Sequence, residues 1–292
     1  MAAPSTLYER QYKDTINLLV QQMDTRLRGA VLVDTDFKGE KKFYNQIASQ
    51  SLTQLTTRYA DTPLSEPSYS RRMVTPSFYA DASLEDPLDA LQAVVDPKSA
   101  LMQSKKSAAM RTMDDIVITA FDADASTGQN GTGTETFDTT TYGVAVTYGS
   151  GSSNSGMTKA KLLRARSIMN QNEVEREDRF VVMEDLQIAD LLNTTEVSSS
   201  DYNVVKALVE GTVSRWIGFD IIHSERLGTS SSHRKCFAWQ RNGMQLAIQK
   251  EPDGRITERP DKNYAWQVYM CLSLGATRME NARVIRILAA ES

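Results

Sequence analysis

Two cysteines and two histidines are all the soft metal donors that 292 residues offer, and each scarcity removes a class of function. Cys236 and Cys271 are too few for a disulfide scaffold, so both are expected to be free, packed thiols in a reducing compartment. A four-ligand zinc site would need His223, His233, Cys236 and Cys271 together, and only His233-x-x-Cys236 has local pairing geometry. A serine triad has no G-x-S-x-G turn to present its nucleophile and little histidine to serve as base. No apolar run nears the ~20 residues that span a bilayer. The opening MAAPSTLYERQYKD lacks a basic n-region or an apolar h-region, which predicts folding in the cytoplasm without a membrane. Basic excess is missing too: 33 Lys plus Arg against 37 Asp plus Glu leave a net charge of −4, the wrong sign for a nucleic-acid reader.

With 40% hydrophobic residues the chain is globular, and at this length it can bury roughly three quarters of its unfolded surface, as one large or two modest domains. Tyr8, Tyr12, Ile16, Leu19, Val20, Met23 and Leu27 recur at helical spacing before Gly29, predicting an amphipathic N-terminal helix. From residue 31 to 84, charged turns alternate with Thr, Ser and scattered aromatics, and Pro63, Pro67 and Pro76 interrupt. Such a stretch has no sustained apolar period and makes no core of its own, so it reads as an extended excursion that lies on another subunit. Its cations, Lys38, Lys41, Lys42, Arg71 and Arg72, are candidates for pairing with that neighbour at up to about 1 kcal/mol each.

Asp96-Pro97 starts a long helix over 97–121, apolar at Leu101, Met102, Ala109, Met113, Val117 and Phe121 and polar at Lys105, Lys106, Arg111 and Asp114. Residues 122–158 read as Gly/Ser/Thr loops around a strand at 142–148. Helices follow at 158–170, 184–193 and 201–210, with strands at 179–183, 219–223, 235–239 and 244–250. Tyr264, Trp266, Val268, Met270, Leu272 and Leu274 alternate as a long one-sided strand that Gly275 breaks, and a last strand covers 283–288. The class is α+β. Gly151-Ser152-Ser153-Asn154-Ser155-Gly156-Met157-Thr158 sits between strand and helix as a phosphate loop would, but Met157 stands where that loop needs Lys, and the stretch reads as a linker.

The order of these pieces resembles the major capsid protein of tailed double-stranded DNA bacteriophages, which share the Hong Kong 97-like fold. More specific pieces are Ser200-Asp201-Tyr202-Asn203 running into Ala207 to Gly211, then Trp216 to Leu227; Cys236-Phe237-Ala238-Trp239 ahead of Gly243 to Ala247; and Gly275-Ala276-Thr277-Arg278 followed by Val284 to Ile287. The resemblance implies an N-terminal arm at 1–30, an extension loop at 31–84, a spine helix and the first part of a peripheral domain at 85–122, an axial domain at 123–255 and closing peripheral strands at 256–292. It implies a structural protein, not an enzyme, that needs no cofactor, catalytic group or metal and resides in the virion. Hexamers and pentamers would close an icosahedral head around DNA held without base reading. Candidate inter-subunit contacts are then Tyr12, Ile16, Leu19, Lys38, Lys41, Lys42, Arg71 and Arg72. A portal, a decoration protein and a separate scaffold protein are expected partners, the last because only about 30 residues precede the loop. No Asn and Glu partners match for an isopeptide crosslink from the loop lysines. Two alternatives stand beside this: an encapsulin-type shell of the same fold around enzyme cargo, and a soluble enzyme or binding protein with an unseen pocket.

Overall fold

A computed structural model describes residues 19–59, 61–85, 98–151, 153–193 and 215–291. The chain forms two compact units, one of Met1–Thr25, Ser77–Met113 and Lys250–Ser273, the other of Arg26–Pro76, Asp114–Gln249 and Leu274–Ser292. In chain order the elements are β1 (Leu32–Asp34), β2 (Lys42–Ile47), β3 (Tyr69–Val74), β4 (Ser77–Glu85), α1 (Lys98–Asp122), β5 (Ala125–Thr127), β6 (Gly133–Glu135) and β7 (Gly143–Val144). They continue with α2 (Lys159–Gln171), β8 (Arg179–Met183), α3 (Asp185–Asn193), β9 (Arg215–Trp216), β10 (Phe219–His223), β11 (Thr229–Ser230), β12 (His233–Gln240), β13 (Met244–Arg259), β14 (Ala265–Arg278) and β15 (Val284–Ala290). The sheet orders are β1-β13-β14-β4, β2-β3-β5-β6 and β7-β15-β12-β8-β10-β9, with β11 added on β12.

The first unit holds β4, the outer halves of β13 and β14, and the start of α1. Lys98 lies 4.7 Å above the Trp266 ring. Lys105, expected on the polar face of α1, is buried instead, because its ammonium pairs with Asp81 of β4. A side chain at Gly254 would meet Met102 Sδ at 2.6 Å and Met270 Cε at 3.0 Å, so glycine leaves the ends of these two methionines their place against the strand.

The second unit is built on the seven-stranded sheet. β12 pairs antiparallel with β15 and with β8, while β8 and β10 run parallel. The closing strand β15 thus lies in the same sheet as β8 and β10. The core centres on Trp239 and Phe237, fully buried, with Phe121 of α1 at 4.7 and 4.9 Å between ring centroids. Trp239 Nε1 donates to Ala30 O at 2.8 Å, which satisfies the one polar atom of a buried indole. Arg278 is buried as well, with Nη1 donating to Phe121 O and Ala123 O, both at 2.8 Å, and its guanidinium 4.9 Å from the Phe137 ring. Thr158 caps α2, its hydroxyl accepting from Lys161 N at 3.4 Å.

Four further expectations change. Residues 19–27 are not helical; the stripe ends instead in a 3-10 turn at Arg28–Ala30. The Asp114 carboxylate accepts from the Arg26 and Leu27 amides at 3.0 and 3.2 Å, so those N–H groups find a tertiary partner in place of a helical one. That same role buries Asp114, which was expected on the polar face of α1. The strand expected at 142–148 is only Gly143–Val144, because Tyr148 N turns back to Ala145 O. Gly275 does not break β14: a Cβ there would sit 2.7 Å from Thr75 O, so the glycine lets two backbones approach and the strand runs on to Arg278. The helix expected at 201–210, Asp96-Pro97 and the stripe before residue 19 lie outside the described residues. No helix among the described residues is long and apolar enough to cross a membrane.

Candidate functional site

The surface that stands out is the excursion between β2 and β3. The two strands pair antiparallel from Lys42↔Val74 to Ile47↔Tyr69, and Ala48 N donates to Ser68 O at 2.9 Å to close the base. Beyond it, every described residue from 48 to 66 is exposed, including Leu52, Leu55, Tyr59 and Leu64. A loop of this length with exposed leucines and no strand or helix of its own lacks the burial to order itself. The lack of a sustained apolar period signalled the excursion in sequence, and the same lack left its leucines unmarked.

Pairing sets Phe43, Asn45, Ile47, Tyr69, Arg71 and Met73 on one face of the hairpin. Ile47, Tyr69 and Arg71 line a cleft of about 700 Å³ whose side wall is the turn from β5 to β6. Gly131 in that turn has φ +70°, a conformation that favours glycine, and a Cβ there would also have to displace the Met73 side chain, whose Sδ lies 2.2 Å away.

Of the five cations expected to face a neighbour, three are spent inside the subunit. Lys42 Nζ lies 2.6 Å from Asp34 Oδ2 and also donates to Asp36 O. Burial alone would push the Asp34 carboxyl up, but the bonds from Lys42 and Tyr44 hold it below the usual range. Arg71 Nε donates to Asn45 Oδ1 at 2.8 Å, its Nη1 to Gln129 O at 3.1 Å, and the guanidinium covers the Phe43 ring. Arg72 is buried, donating to Met279 O at 2.8 Å and pairing with Glu135 at 2.6 Å. Lys38 and Lys41 are exposed and form no ion pair among the described residues. Leu19 is exposed, while Tyr12 and Ile16 lie outside the described residues.

The phosphate-loop likeness is resolved by Lys161. Its buried ammonium donates to Ser155 O, Gly156 O and Leu288 O at 2.7, 2.8 and 3.0 Å. The loop therefore turns carbonyls inward around a cation of its own chain, the reverse of the N–H nest that holds a phosphate. Met157 is buried. The two cysteines are used otherwise than for zinc: Cys236 is fully buried, which pushes its thiol up, and Cys271 Sγ accepts from Lys250 Nζ at 3.1 Å. Among the described residues no group of three or more His, Cys, Asp or Glu is placed to hold a metal.

A family profile described as "Phage capsid protein" matches residues 5–291. No curated protein matches the chain. Among solved structures, the capsid of Ralstonia phage GP4 is similar with a TM-score of 0.77 at 10% identity, over 100% of this chain and 98% of that one. The capsid of cyanophage P-SCSP1u gives 0.75 at 13% identity, over 98% and 94%. A chain of Mycobacterium phage Che8 gives 0.70 at 13% identity, over 98% of each. At such identities the likeness shows the fold, the Hong Kong 97-like one.

Proposed function

The chain belongs to the phage capsid protein family, a structural and non-enzymatic class located in the virion capsid, and on that premise we propose that it self-assembles as hexamers and pentamers into an icosahedral head around double-stranded DNA. The observation that supports this reading best is the excursion at 48–66, exposed at every described residue above a closed β2–β3 base, which a second copy would complete. In this reading 1–30 is the arm, 31–84 the extension loop, 85–122 the spine with the first part of the peripheral domain, 123–255 the axial domain and 256–292 the closing segment. Lys38 and Lys41 are the loop cations left for a neighbour, joined by Leu19, Tyr12 and Ile16 from the arm. Lys42, Arg71 and Arg72 act indirectly, by fixing the hairpin that carries the loop. The family match favours this over an encapsulin shell. A separate scaffold, a portal and assembly in the host cytoplasm belong to the same proposal, as do a decoration protein and packaged DNA held without sequence preference.

Negative-stain electron microscopy with light scattering of the purified chain is expected to give closed polyhedral particles or capsomer rings. A 32.5 kDa monomer that persists with scaffold or crowding agent would overturn the reading. Replacing residues 49–67 with a short Gly-Ser linker should leave the chain folded, since Ala48 and Ser68 already meet, yet abolish particles.

A further inference from the structure

Arg26 meets His223 in a way that fixes where the imidazole carries its proton. Arg26 Nη1 lies 2.8 Å from His223 Nδ1 and donates to His223 O at 2.6 Å. A guanidinium has only donors, so Nδ1 accepts and the ring proton sits on Nε2. There it faces Glu225 Oε1 at 2.7 Å, the same oxygen that accepts from Asp185 N at 2.8 Å. The His223 side chain is 41% exposed, so solvent protons reach the ring.

Among the described residues the neighbouring charges are paired, and on β10 itself Asp220 lies 3.8 Å from Arg215. Glu184, at the junction of β8 and α3, pairs with Arg234 of β12 at 2.9 Å, and Arg234 pairs with Glu291 at 2.6 Å. On the Arg26 side, Asp114 of α1 accepts the Arg26 and Leu27 amides, and Asp115 pairs with Arg226. A proton added at Nδ1 would set N–H against N–H and cation against cation, while strengthening the pair with Glu225.

We propose that Arg26, His223 and Glu225 form an acid-sensitive latch where the chain enters the second compact unit. With the ring proton on Nε2 the imidazole accepts Arg26; a second proton, on Nδ1, turns the ring wholly to Glu225 and breaks the Arg26–Nδ1 contact, leaving the guanidinium on His223 O alone. Because the Arg26 and Leu27 amides stay on Asp114 and Arg111 still holds Gln21 Oε1 and Gln22 O, the loosening is local, centred on the Arg26 side chain and the residues beside it.

Hydrogen–deuterium exchange of the full chain, corrected for the intrinsic pH dependence of exchange, tests it at about pH 7.5 and about pH 5.5. The peptide covering 19–26 should exchange about tenfold faster at the lower pH in the wild type. In His223→Gln, whose amide never becomes a cation, it should exchange alike at both. An unchanged wild type, or the same acid response in His223→Gln, overturns the proposal. Should that variant not fold, Arg26→Gln is expected to show the fast exchange at both pH values, and an acid response in it overturns the proposal equally.

Discussion

Lys161 brings an ammonium into the protein interior and satisfies it with three carbonyl oxygens. Burial lowers its pKa to about 8, against the upward pull of Cys236 and Asp190 nearby. Below that value folded and unfolded chains both hold the proton, and the group adds no pH dependence. From there up to the ordinary lysine value of ~10.4 the unfolded chain binds more proton, so stability from this group rises with pH. Urea midpoints of wild type and Lys161→Met from about pH 7 to about pH 10 are therefore expected to diverge in favour of the wild type above about pH 8, and a constant difference would refute the account. This role was hidden in the sequence, which shows a lysine four residues after Met157 but not the bend that turns Ser155 O and Gly156 O toward it. The same holds for Arg72, whose acceptor on Met279 lies 207 residues away. Which cations face outward is decided by such distant partners, and local pattern does not encode them.

Elements were more legible where period and punctuation agreed. α1 is continuous from Lys98 to Asp122 because its sequence is rich in Ala, Met and Lys, with neither Gly nor Pro. β8, β10 and α2 follow their apolar patterns and caps in the same way. Punctuation misled at Gly275, where glycine serves a close backbone approach inside a strand and does not end it. Gly275→Val would place Cβ within 2.7 Å of Thr75 O and 2.9 Å of Val74 Cγ1, and a backbone atom cannot swing aside as a flexible side-chain end does. Overpacking of this kind costs about 1–3 kcal/mol. A thermal melt should show the midpoint falling by several degrees, and an unchanged midpoint would mean the strand tolerates the crowding.

For the whole molecule, the order of segments was the readable signal: an apolar arm, a coreless excursion, a long helix, a mixed domain and closing strands. Contacts between copies are not written at that scale, because each is half of a surface whose other half belongs to a neighbour. The excursion still gives a way to detect them. Arg58 lies within it, exposed and outside any strand, so trypsin should cut the free subunit there readily. The fragments should stay together through the β2–β3 pairing, leaving the fold intact. In assembled particles, a neighbour seated on the excursion would slow cleavage at Arg58 by at least ~10-fold, since the protease needs an extended, unshielded segment. Equal rates in subunit and particle would show that the exposed leucines meet solvent in the shell, and the neighbour's contact would then have to be sought on the arm.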